Sequence, residues 1–122
     1  MIKERVDLNF ELAIETLVGL GFKLTDAQIY VFLAKKGPKR GKELVNSLKL
    51  TKQQLYPSLK NLRERGVVNS TLERPAIFSA ASIDVVLDEL IENRIEEIQH
   101  MIKNKEKLIS SWQSMKYNSS KT

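Results

Sequence analysis

From Ile83 to about Lys116 the chain runs without a glycine or a proline, and this run limits the fold more than any other feature. Proline removes a helical hydrogen bond and glycine adds backbone entropy, so a stretch lacking both is helix-compatible throughout, with Ser82 as its N-cap. At about 1.5 Å per residue such a helix extends about 50 Å, well beyond the diameter of the domain a chain of this size can build. It has to find a partner. Ile91, Ile95, Ile98, Ile102, Lys105, Ile109 and Trp112 follow alternating steps of four and three, the seam of a coiled coil with a polar interruption at Lys105. The expected dimer interface is therefore Leu87, Ile91, Ile95, Ile98, Ile102, Ile109 and Trp112. Residues 84–102 hold six acids against Arg94, and residues 103–121 hold five lysines against Glu106. That polarity suits the helix dipole and also favours antiparallel pairing, although the residues alone leave parallel and antiparallel packing open.

The residues before this run carry helix punctuation at short intervals. Val6, Phe10, Ala13, Ile14, Leu17 and Val18 have the spacing of an amphipathic helix that Gly19 and Gly21 close. Thr25 and Gln28 have the capping-box spacing for a second helix, with Ile29, Tyr30, Phe32 and Leu33 as its apolar face, and Gly37-Pro38 ends it. Glu43, Leu44, Val45 and Leu48 make a third, of about two or three turns, which breaks at Lys49-Leu50. Thr51 and Gln54 repeat the capping box for a fourth helix, 52–65, whose stripe is Leu55, Leu59 and Leu62 and whose stop is Gly66. Pro57 falls inside it at a usual cost of about 3 kcal/mol. Because Leu59 and Leu62 continue the stripe beyond the proline, the helix is expected to run through and bend there. Residues 67–72 and 76–79 favour strand around the turn Glu73-Arg74-Pro75, which gives a small hairpin.

Charge is distributed unevenly. The net charge is +5, but residues 23–66 alone hold eleven bases against three acids, while residues 1–22 and 83–122 are slightly acidic and 67–82 are neutral. A local basic field of this kind attracts polyphosphate, whereas a membrane-surface helix would interleave its cations with one continuous apolar face. Nucleic acid is the better match. Lys35, Lys36, Lys39, Arg40 and Lys42 cluster just before the third helix, where at least two are expected to touch phosphate.

Several classes have nothing to stand on. With no cysteine, the chain has no disulfide, thiolate metal site or cysteine nucleophile. His100 is the single histidine, and a carboxylate at Glu96 or Glu97 accounts for it on a wet helix face, so no metal or other cofactor is expected. There is no glycine-rich phosphate loop and no carboxylate pair in an apolar setting, which argues against an enzyme. No apolar run approaches the roughly 18 residues of a membrane span, and the N-terminus is too acidic and amphipathic for a secretory signal, so a cytoplasmic protein without membrane contact is expected.

Helix, short helix, turn, capped helix and hairpin, in that order, are the recipe of a winged helix-turn-helix, whose later helix enters the DNA major groove. With three leucines turned inward, and about 100° per residue, the opposite face of helix 52–65 centres on Gln53, Pro57, Lys60 and Glu64, flanked by Asn61 and Tyr56. Glu64 lies too far along to sit in the groove. Gln and Asn can bond adenine edges, Lys can donate to guanine or phosphate, and a tyrosine hydroxyl can reach phosphate. Thr51, chiefly a cap, can also approach phosphate.

The run LTDAQIYVFLAKKGPKRGKELVNSLKLTKQQLYPSLKNLRERGVV resembles the winged-helix domain of TrmB-like and MarR-like transcription regulators, and LYPSLKNLRERGVV resembles the corresponding helix of PadR-like regulators. Continued through IFSAAS into the long helix, the likeness covers roughly residues 20–115. It implies a mainly α fold with a small β-hairpin wing, a winged helix-turn-helix plus a long C-terminal dimerisation helix. It further implies DNA contacts at Lys52, Gln53, Gln54, Tyr56, Pro57 and Lys60, with wing contacts near Arg74. Together with Lys39, Arg40, Lys42, Thr51 and Asn61 these make the expected DNA-binding set. The sequence departs from larger TrmB-like regulators in ending after the long helix, without their sugar-binding effector domain, so the resemblance does not carry sugar sensing over and any small-molecule effector is left open.

The expected organisation is a DNA-binding unit over 1–82, a dimerisation helix over 83–117 and a disordered tail over 118–122. The expected function is a homodimeric regulator that reads a roughly palindromic site in double-stranded DNA. An architectural DNA binder without sequence preference, or a winged-helix adaptor between proteins, are the alternatives.

Overall fold

The computed structural model describes the backbone of residues 2–121 and the side chains of residues 9–116. In chain order the elements are α1 (Ile2–Gly19), α2 (Leu24–Lys36), β1 (Lys39–Arg40), α3 (Gly41–Leu48), α4 (Lys52–Glu64), β2 (Val68–Ser70), β3 (Ile77–Ala80) and α5 (Ile83–Lys121). They form two compact units, one up to Asp88 and one from Glu89 onward. The first unit reaches past the expected boundary at residue 82 because Val86, in the first turn of α5, is buried with the core.

α2 is the centre of the first unit. Ala27, Ile29, Tyr30, Val31 and Leu33 are at most 4% exposed, so the helix is covered on nearly every side, by α1, α4 and β3 among others. Phe32, expected in that core, is only half-buried, and of the α1 face Leu17 is buried whereas Val18 is exposed. The Val6 side chain lies outside the described residues. The capping box expected at Thr25 does not form: the helix starts at Leu24 with Lys23 as N-cap, and Thr25 lies inside the first turn. Upstream, Gly21 at φ +106° lets the Phe22 amide donate to the Leu17 carbonyl at 3.0 Å, and Phe22 is itself buried. That turn delivers the chain to the helix early, and Asp26 supplies first-turn negative charge in place of a threonine cap. At the far end Gly37, at φ +89°, donates its amide to the Leu33 carbonyl, and Pro38 follows as expected.

The sheet departs from the expected hairpin. It has three strands in the order β1-β3-β2, because Lys39 and Arg40, read from sequence as a basic connector, pair antiparallel with Phe78 and Ile77. On the other edge of β3, Asn69 pairs with Ser79 and Ser70 with Phe78. A buried Phe78 anchors the central strand.

Two short helices then set up the turn. The Glu43 side chain accepts the Arg40 amide at 3.1 Å to start α3, and Lys49 closes it in the left-handed conformation, φ 55° and ψ 43°. The capping box of α4 forms as read: the Gln54 amide donates to Thr51 Oγ1 at 3.1 Å and the Thr51 amide donates to Gln54 Oε1 at 2.9 Å. Leu55, Leu59 and Leu62 are buried, Pro57 stays inside the helix, and Gly66 at φ +77° lies just past its end. Burial of each leucine stabilises the unit by about 2 kcal/mol.

The Tyr30 hydroxyl donates to the Ala81 carbonyl at 2.6 Å, tying α2 to the segment that feeds α5. Burial, and then the nearby charge of Asp84, push that phenol from 10.0 up to about 12. The Ser82 hydroxyl donates to the Asp84 carboxylate; this bond, helped by backbone amides, holds the Asp84 carboxyl below its usual range. α5 continues to Lys121, so residues 118–121, expected as a disordered tail, are helical, and Thr122 lies outside the described residues. Along α5 the seam residues Ile91, Ile95, Ile98, Ile102, Ile109 and Trp112 are 44–62% exposed, whereas Leu87 is half-buried.

Candidate nucleic-acid interface

The cation-rich segment and the wing meet because of β1. Its pairing with β3 carries Arg40 beside the wing, and α3 and α4 bring Lys42, Lys52 and Tyr56 to the same place. Arg40, Lys42, Lys52, Tyr56 and Arg74 all line one groove of about 970 Å³, floored by Val45, Ala76 and Phe78. Four cations and one phenol around an open, apolar-floored groove suit a chain of phosphodiesters better than a single small anion. Gly41 explains why Tyr56 can stand there. A Cβ built on this buried glycine would lie 2.5 Å from Tyr56 Oη and 3.2 Å from Cζ, so the ring occupies the space a side chain would need.

Beyond the groove, Gln53, Pro57 and Lys60 are exposed on the face of α4 opposite its buried leucines, as the helical spacing requires. Lys60 lines a second, shallower depression with Arg63, Glu64, Asn69 and Ser70. The expected residues thus divide between two neighbouring surfaces instead of one.

Three of the expected residues have other partners. Asn61 is half-buried, and its Nδ2 donates to Asp26 Oδ2 at 2.6 Å, which ties α4 to the start of α2. At 2% exposure Asp26 is a core residue, so the Asn61 amide is held inward and away from the α4 outer face. Gln54 and Thr51 are exposed, but the Gln54 carbonyl oxygen and the Thr51 hydroxyl are engaged in the capping box. Lys39 is half-buried in β1 and does not line the groove. In turn, the sequence reading passed over Gly41 and Asn46 in the groove and Arg63 beside Lys60. Arg63 follows Lys60 by three residues, a spacing that already placed both on adjoining parts of one helix surface. Arg65, by contrast, stacks over the Phe22 ring at 4.7 Å and serves the core.

Residues 17–84 match the family described as sugar-specific transcriptional regulator TrmB. The chain belongs to the TrmB family. This TrmB-family chain is accordingly a DNA-binding transcription regulator, of a family that regulates transcription and is not enzymatic. The match spans the helix-turn-helix, the wing and the entry to α5, which are the elements that build the groove. Among solved structures, the crystal structure of the ST1889 protein from the thermoacidophilic archaeon Sulfolobus tokodaii is similar, at a TM-score of 0.62 and 23% identity over 74% of this chain and 97% of that one. The TrmB-family chain shares its fold. No curated protein matches the sequence. Among the described residues no helix is long and apolar enough to cross a membrane, and no group of three or more His, Asp or Glu side chains is placed to hold a metal ion.

Proposed function

We propose that this TrmB-family regulator works in the cytoplasm as a homodimer joined through α5, and that it reads a roughly palindromic site in double-stranded DNA with residues 52–65 and the wing, 67–79. The reading rests chiefly on one observation, the convergence of Arg40, Lys42, Lys52 and Arg74 around Tyr56 next to the exposed Gln53, Pro57 and Lys60. The first group contacts backbone phosphates and sets the register; the second offers a glutamine for an adenine edge and a lysine for guanine or phosphate. Two copies would place their reading helices in successive major grooves about 34 Å apart. Thr51 and Gln54 contribute a backbone phosphate contact through the groups that capping leaves free, and Lys39 contributes long-range charge.

Selection of bound fragments from random DNA by the purified protein tests this reading. Recovery of inverted half-sites one helical turn apart, bound at least about 10³-fold more tightly than random DNA, supports it. Salt-sensitive binding without enrichment would favour an architectural role, and no salt-dependent binding at all would favour a protein adaptor; either result overturns the proposal.

A further inference from the structure

α5 exposes an apolar face that is wider than a coiled-coil seam. Beside the seam isoleucines and Trp112, which are 44–62% exposed, Met101, Leu108 and Met115 are 59–63% exposed. If Ile91 is taken as position d and Ile95 as position a, then Met101, Leu108 and Met115 fall at g. A contiguous stripe of this size is an interaction surface awaiting its other half. We propose that a second copy of this chain covers it in antiparallel orientation, with the acidic half of one α5 alongside the basic half of the other. The proposal rests on the reading of α5 as the dimer interface and adds the direction of packing.

Charge decides the direction. In a parallel pair the six carboxylates of residues 84–102 lie against the same six of the partner, and the lysines of residues 103–116 lie against their own copies. Lys105, a seam position, then faces its own copy across the middle of the coil. The usual remedy is ion pairing between g and e positions, and it is missing here. Four of the g positions are Leu87, Met101, Leu108 and Met115, and the fifth, Arg94, already pairs with Glu97 of its own helix at 3.7 Å. Antiparallel packing reverses each of these relations. Lys105 moves opposite Asp88, Ile95 or Ile102, all within the acidic half that carries Asp88, Glu89, Glu92, Glu96 and Glu97, and the apolar g positions flank one another across the pair. The seam stays in phase when the positions of facing residues add to 193, 200 or 207, so Ile91 faces Ile102 or Ile109, or Ile95 faces Trp112.

Because the chain has no cysteine, introduced thiols give a clean test in the full-length protein. Ile91→Cys, Ile95→Cys, Ile102→Cys, Ile109→Cys and Trp112→Cys all fall at exposed positions in the second unit, so the winged-helix core is not disturbed. The first measurement is mass in solution. A monomer at tens of micromolar overturns the dimer reading itself. If the dimer is present, pairs of variants are mixed, exchanged and oxidised. Antiparallel packing predicts a mixed disulfide in one of three mixtures, Ile91→Cys with Ile102→Cys, Ile91→Cys with Ile109→Cys, or Ile95→Cys with Trp112→Cys, at least about tenfold above the self-linked Ile91→Cys and Trp112→Cys products. Efficient self-linking of Ile91→Cys and Trp112→Cys, with no mixed product, would establish parallel packing and overturn the inference while leaving the dimer intact. Salt gives an independent readout. The dimer Kd should rise by about threefold or more from low to high salt as attraction between unlike halves is screened, and a fall would mean like halves are adjacent.

Discussion

Asn61 separates two roles that the sequence left merged. As a base reader it would matter to DNA and not to folding; as the partner of Asp26 it should do the reverse. The Asn61→Ala substitution removes the amide that donates at 2.6 Å to a side chain only 2% exposed. Stranding a buried polar group of this kind costs about 2 kcal/mol. For a unit of fewer than about 100 residues, each kcal/mol lowers Tm by about 4–8 °C, so the variant should melt about 8–16 °C below the parent. Thermal melting by circular dichroism measures this, and fluorescence anisotropy with a selected operator, well below the transition, measures binding. Expected are the lower Tm and a Kd within about twofold of the parent, because the Asn61 amide is turned toward Asp26 and away from the outer face of α4. Replacing both partners with leucine should recover most of the stability, since it leaves no stranded polar group. An unchanged Tm together with lost sequence preference would refute the reasoning and return Asn61 to the reading face.

Three further outcomes follow from the same geometry. Gly41→Ala should drive the Tyr56 ring out of the groove, because the new Cβ would lie 2.5 Å from its hydroxyl; DNA affinity should drop severalfold in an anisotropy titration, with Tm changed by only a few degrees. Tyr30→Phe should lower stability by about 1 kcal/mol at neutral pH in urea titrations by losing the bond to Ala81. Since the folded phenol is raised to about 12 from 10.0, its stabilisation is complete below pH 10 and fades as pH climbs through 12, so the gap between parent and variant should close over that interval. Lys60→Ala, if it removes a base contact, should weaken specific binding by about 1–3 kcal/mol, whereas Arg40→Ala should flatten the salt dependence by about 0.9 in log–log slope per lost phosphate contact.

What was legible in the sequence was local. The Thr51–Gln54 capping box, the Gly37-Pro38 stop, the leucine stripe of α4 and the uninterrupted α5 each depend on residues within about one helical turn of one another. What escaped depends on contacts distant in sequence. β1 exists only because β3, nearly forty residues later, presents a free edge to Lys39 and Arg40, and two basic residues carry no strand signal of their own. Asn61 turns inward because Asp26, 35 residues earlier, waits there. The Thr25 box had the right spacing but lost to a competing local choice, the Gly21–Phe22 turn that starts α2 two residues sooner.

β1 bears on function more than its two residues suggest. By pairing Arg40 with Ile77 it joins the start of α3 to the wing, so Arg40 and Lys42 are carried on one hydrogen-bonded framework with the strand that follows the loop of Arg74. α4 is capped locally by Thr51, packed into the core by three buried leucines, and tied through Asn61 to α2. A groove held this way needs little ordering when DNA arrives, and ordering is one of the main costs of association. The remaining freedom lies in the side chains of Arg40, Lys42 and Lys52 and in the wing loop that carries Arg74. Disrupting β1 pairing should therefore weaken DNA binding even with every cation retained, because the cost of arranging the groove would then fall on the binding step.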